Sequence, residues 1–119
     1  MMINPLLRTE ASIRRHLLSM MPVGTSMEEV IRTVENNESW MIRVVRDNVG
    51  VVLDPKIHVP TNMHPTERTK DEHIIGNKSI IAHLGTYSVI VRIDVVAFFA
   101  FNEDGELIEI LIKKYYDWI

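Results

Sequence analysis

The chain has 119 residues, with 13 lysines and arginines against 16 aspartates and glutamates, a net charge of −3 and no cysteine. A chain of this length forms one domain able to bury about two-thirds of its unfolded surface. The charge balance lacks a nucleic-acid footprint, and the missing thiol excludes disulfide, iron–sulfur and thiolate chemistry. No stretch approaches the ~18 consecutive apolar residues of a membrane span. Met1 to Glu10 also lacks the basic-then-apolar pattern of a signal peptide. The expectation is a cytoplasmic protein with no membrane contact.

Residues 5–20 are expected to form a first helix, with Pro5 suited to its opening turn. Leu6, Ile13, Leu17 and Met20 fall on one stripe, and Arg8, Glu10, Arg14 and Arg15 lie away from it. Pro22 to Thr25 breaks that helix. Ser26, with Glu29 three residues on, has the spacing of a capping box. Met27, Val30, Ile31 and Val34 then follow the period of a buried helical stripe, so a second helix is expected over 27–35, ended by Asn36 and Asn37.

A strand is expected over 40–46, with Trp40, Ile42 and Val44 alternating against Met41, Arg43 and Val45. A turn at Asp47 and Asn48 leads to a short return strand over 50–53. Residues 54–75, interrupted by Pro55, Pro60 and Pro65, then read as a long irregular loop, a kind of segment that often carries contacts. A strand follows over 79–84, with a break at Gly85, Thr86 and Tyr87. The clearest signal comes last: β-favouring runs over 91–101 and 106–114, joined through Asn102 to Gly105, read as a hairpin. Val91, Ile93, Val95, Ala97, Phe99 and Phe101 share its core face by alternation, with Ile108, Ile110 and Ile112 on the return strand. Tyr115 to Ile119 is expected to pack against the body. Helices followed by strands give an α+β fold, two N-terminal helices on one face of an antiparallel sheet of about four strands.

The candidate chemistries are thin. His58, His64 and His73 lie in the loop with Asp54, Glu67, Asp71 and Glu72, at spacings that match no zinc pattern, so no metal or cofactor is expected. Ser79 or Ser88 can be combined with His83 and Asp94 into a nucleophile, base and acid, but no Gly-x-Ser-x-Gly elbow supports it. The five glycines are isolated and form no phosphate cradle. Arg92 and Asp94 read as charge partners on the sheet. The face opposite the core is more informative. Val96, Phe98, Leu107 and Leu111 form an apolar patch rimmed by Arg92, Asp94, Glu109 and Lys113. Either the loop or the C-terminal aromatics cover that patch, or it binds a protein or a second copy of the chain.

Two segments resemble a known group. Pro22-Val23-Gly24-Thr25-Ser26-Met27-Glu28-Glu29-Val30 is similar to the opening of small bacterial proteins in which Gly76-x-Lys78-Ser79-Ile80 and Leu84-Gly85-x-Tyr87 lead into a final hairpin and a terminal acidic residue, here Asp117. The arrangement resembles the repeat unit of β-lactamase inhibitor protein and of the small outer-membrane assembly lipoproteins, over residues 22–37 and 76–117. The resemblance implies a helix pair on an antiparallel sheet and protein binding rather than catalysis. Without signal peptide or cysteine, it implies a cytosolic immunity or inhibitor protein that neutralises a toxin or enzyme. The alternative is a small enzyme or metal-dependent protein built on the loop over 54–75.

Overall fold

The computed structural model describes residues 7–53, 73–88 and 90–118. It bears out the α+β architecture, with two helices followed by a four-stranded antiparallel sheet. Helix α1 spans Glu10–Met20 and α2 spans Met27–Glu35. The strands are β1 (Met41–Arg46), β2 (Val51–Leu53), β3 (His73–Ile75), β4 (Lys78–Ser88), β5 (Val91–Phe101) and β6 (Leu107–Trp118). The main sheet runs β1-β4-β5-β6, and β2 and β3 form a separate two-stranded ribbon.

Both helices begin where a hydroxyl caps them. Thr9 accepts from the Ser12 amide at 3.1 Å, so α1 starts at Glu10 rather than at residue 5. Ser26 accepts from the Glu29 amide at 3.2 Å, and α2 has the predicted bounds. The Glu29 carboxylate does not close the box but pairs with Arg32 one turn on. Ile13 and Leu17 of α1 and Val30 and Val34 of α2 are buried, as their spacing requires. Met20 is an exception at 43% exposed; its neighbour Met21 is fully buried instead. Met21 leaves helical geometry (φ −131°, ψ 79°), which turns its side chain under the helix.

These helical residues pack on one face of the sheet, against Ile80, Ala82 and Leu84 of β4, Val95, Ala97 and Phe99 of β5, and Ile110 and Ile112 of β6. Phe99 and Phe101 are fully buried, each contributing about 1.5–3 kcal/mol. The β5–β6 turn is held by Asn102, whose side-chain oxygen accepts from the amides of Asp104 and Glu106, with Gly105 at φ +79°. The loop before α2 is tied to the same corner: the Gly24 amide donates to the Leu107 carbonyl, the Leu107 amide to Thr25, and the Met27 amide to Gly105.

The structure corrects several expectations. The β4 strand runs through Gly85, Thr86 and Tyr87 to Ser88, because a bulge between His83 and Gly85 absorbs Leu84 without ending the pairing. The β6 strand extends to Trp118, where Tyr115 and Tyr116 pair with Asp94 and Ile93 of β5, so the aromatic tail is strand. The β2 strand is no return strand of β1; it pairs with β3, Val51 opposite Ile75. The last three residues of the expected loop are therefore extended, and 54–72 lies outside the described residues. No described helix is long and apolar enough to cross a membrane.

Candidate protein-binding face

The sheet face away from the helices is organised in rows that follow from the strand registers. Val44, Ile81, Phe98 and Leu111 lie opposite one another on β1, β4, β5 and β6, an apolar row across the whole sheet. On one side of it lies a row of Met41, His83, Val96 and Lys113, and beyond that Thr86, Asp94 and Tyr115, then Ser88, Arg92 and Asp117. On the other side lie Arg46, Ser79, Ala100 and Glu109. This last row is closed in its middle: Ser79 and Ala100 are buried, and the Ser79 hydroxyl donates to the Val49 carbonyl at 2.9 Å. Val96, Phe98, Ile81 and Leu111 are partly exposed, whereas Val44 and Tyr115 at the two sheet edges are 37% and 44% exposed. The face thus has an apolar centre with a polar border, the pattern of a protein contact surface.

One expected member does not belong to it, and a second is engaged elsewhere. Leu107 is fully buried among the core residues. A register shift between Ala100 and Phe101 sets Leu107 opposite Phe101 and leaves Ile108 as the extra residue, 38% exposed. One inserted residue moves every side chain before it to the other face. Glu109 reaches over the edge of β6, where its carboxylate receives Arg14 of α1 at 2.6 Å and the Ile110 amide at 2.9 Å. Arg14 also donates to the Ile110 carbonyl. Glu109 thus fastens α1 to an edge strand and is not a free rim residue. Arg92, Asp94, Val96, Phe98 and Leu111 do share the open face.

Alternation alone missed Val44, placing it with Trp40 and Ile42; a register shift between Ile42 and Val44 brings it to the open side. Ile81 and Tyr115 were missed as well, since only cross-strand register reveals them.

Asp94 collects a polar cluster on this face. Thr86 Oγ1 donates to Asp94 Oδ1, His83 Nε2 lies 3.3 Å from the same oxygen, and Arg92 approaches the other at 3.5 Å. The Thr86 hydrogen bond, with the smaller help of His83 and Arg92, holds the Asp94 carboxyl below its usual value against the opposing effect of burial. Arg92 and Asp94 are neighbours along one strand rather than partners across two. His83 and Asp94 meet as a triad would need, but among the described residues neither serine is bonded to them: the Ser79 hydroxyl donates to the Val49 carbonyl, and Ser88 lies one row further along, opposite Arg92. The hydroxyl present is that of Thr86, which donates to the Asp94 carboxylate and lies 3.2 Å from His83 Nε2. Such a cluster ties β4 to β5 on the sheet surface.

No described set of three or more histidines and carboxylates could hold a metal ion. His58 and His64, with Asp54, Glu67, Asp71 and Glu72, lie outside the described residues. A shallow, open depression of about 500 Å³ lies where α1 and α2 end, lined by Met20, Thr33 and Asn36 to Ser39; it brings together no charged cluster. No protein family, curated protein or solved structure gives a match to the chain.

Proposed function

We propose that the chain is a non-enzymatic protein-binding module that acts in the cytoplasm through the sheet face opposite its helices. The observation that supports this reading is the unbroken apolar row Val44–Ile81–Phe98–Leu111, bordered by His83, Asp94, Arg92 and Lys113. A partner seated there would cover Phe98 at the centre and leave the charged border to fix its orientation. The narrower form, an immunity or inhibitor protein that occludes a toxin or enzyme, rests on the resemblance of residues 22–37 and 76–117.

The experiment compares wild type with Phe98→Asp. Phe98 is partly exposed, so the variant folds with its circular dichroism kept and its melting temperature lowered by several degrees. Wild type placed as bait with a photocrosslinker at Lys113 captures one stoichiometric protein partner, and Phe98→Asp loses it. Light scattering in parallel tests a second copy as that partner. Equal capture by both forms, or a stoichiometric metal with a turnover in the purified protein, would overturn the reading.

A further inference from the structure

The two edges of the main sheet are treated differently. At β6 the first part of the outer edge is occupied: the Leu107 backbone is bonded to Gly24 and Thr25 and that of Ile110 to Arg14 and Glu109, while the Lys114 ammonium reaches the Arg8 carbonyl at 2.7 Å. At β1 no described strand pairs with the outer side. Five of its six residues are exposed, and Ile42 alone is partly covered. Val45 sits opposite Ile80 on the helix-covered face, yet it is 48% exposed, so the helices do not cover this end of β1. An open antiparallel edge presents alternating amide and carbonyl groups that only an extended polypeptide satisfies.

The side chains narrow the partner. Arg43 is the bulged residue, without a partner in β4, and Arg46 follows on the same exposed strand. No carboxylate lies within the strand itself; Asp47 comes just past it. A second copy of β1 would bring four arginines into one strand pair, and like charges at such spacing are destabilising. An acidic strand meets the opposite condition. Alternation adds a second requirement. A residue docked beside Val44 would extend the row Val44–Ile81–Phe98–Leu111 by one further position, and an apolar side chain suits it.

We infer that the β1 edge is a strand-addition site for an acidic, extended segment of a partner polypeptide in which a carboxylate stands two positions from an apolar residue, the spacing of Arg46 from Val44 on the open face. The site adds a main-chain mode of recognition to the side-chain surface proposed above and stands independently of it. With strands about 4.8 Å apart, Phe98 lies on the order of 14 Å from the docked chain.

The test titrates the full chain with a capped, fluorescein-labelled peptide as long as β1 (6 residues), Glu-Glu-Val-Val-Glu-Glu, which sets glutamate and valine two positions apart on each face. The controls are the lysine-for-glutamate peptide and two glutamate peptides N-methylated on one or the other set of alternate amides. Acidic peptide is expected to bind and to protect β1 amides from hydrogen exchange. One methylated set abolishes binding and the other leaves it intact, because only one edge of a docked strand faces β1. Arg43→Glu combined with Arg46→Glu, both exposed, weakens the acidic peptide about tenfold and admits the lysine peptide. Phe98→Asp leaves the affinity unchanged. Equal binding of the lysine peptide to wild type, indifference to both methylated sets, protection on the Phe98 face in place of β1, or no binding at about 1 mM would each overturn the inference.

Discussion

The bulge that separates Leu107 from Leu111 can be tested by placing the same polar side chain at both positions. Leu107 is fully buried, with its backbone amide and carbonyl already bonded to Thr25 and Gly24. Leu107→Gln therefore loses the apolar transfer of a whole leucine, about 1.5–3 kcal/mol. It also buries an amide without a partner, a further cost of about 1–3 kcal/mol, and the two effects together cost roughly 3–5 kcal/mol. Leu111 is partly exposed on the open face beside Phe98. A glutamine there turns its amide to water, so Leu111→Gln costs about 1 kcal/mol. A chain of this size has about 5–15 kcal/mol of stability, so both variants fold. Urea titration followed by tryptophan fluorescence, with a slope near 2 kcal/mol per molar, separates them: the midpoint falls by about 1.5–2.5 M for Leu107→Gln and by about 0.5 M for Leu111→Gln. Equal shifts, or the larger shift at Leu111, would mean that strict alternation continues through β6 and that the register shift is wrong.

The Asp94 carboxyl is held below its usual value in the folded chain, so it contributes stability that is present above the unfolded carboxyl range and is lost as the pH falls through the folded value. Asp94→Asn removes that contribution; its stability deficit relative to wild type is expected at neutral pH and to shrink in acid, and a deficit that stays constant down to about pH 2 would refute the assignment. Arg14→Ala releases the Ile110 carbonyl and the Glu109 carboxylate at the β6 edge. The pair is partly exposed, so the stability loss is about 1 kcal/mol, while concentration-dependent association by light scattering increases because a second sheet edge has been opened. Unchanged association would show that α1 itself screens the edge.

Some parts of this fold are legible from sequence because local and long-range signals agree. For α2, Ser26 sets the start, Val30 and Val34 have the helical spacing, and the hydroxyl makes the expected bond to the Glu29 amide. For the hairpin, Asn102 and Gly105 supply the turn and the apolar alternation over 91–101 supplies the core face. The candidate site was read less well. Arg92, Asp94, Val96, Phe98 and Leu111 were found because β5 and the later part of β6 alternate without interruption. Leu107 and Val44 were misplaced because each lies beside a bulge, and nothing in the residues themselves marks Arg43, Leu84 or Ile108 as the inserted one; Glu109 keeps its expected face but is drawn over the edge by Arg14. The Arg14–Glu109 tie joins residues 95 apart in the chain, a separation at which pattern reasoning has no purchase. The pairing of β2 with β3 failed for a related reason: proximity favoured β1, while Gly50 fits against Ile75 and Gly76 so closely that a Cβ would lie 2.2 Å from the Ile75 carbonyl oxygen.

Val44 joins the two proposed surfaces, because it ends the apolar row on one face and stands on the β1 edge, with no described strand beyond it, at the same time. The bulge at Arg43 produces both properties. Without the extra residue, Val44 would turn toward the helices, the row would stop at Ile81, and a docked strand would find no apolar neighbour on the open face. Bulges in edge strands commonly discourage pairing by twisting the edge away. Here the inserted residue is an arginine, so the same feature that disfavours another copy of this strand supplies charge for an acidic one. Specificity built this way depends on rejection as much as attraction. It also fixes the order of sensitivity along the row: substitution at Val44 disturbs both surfaces, whereas substitution at Phe98 or Leu111 disturbs the face alone.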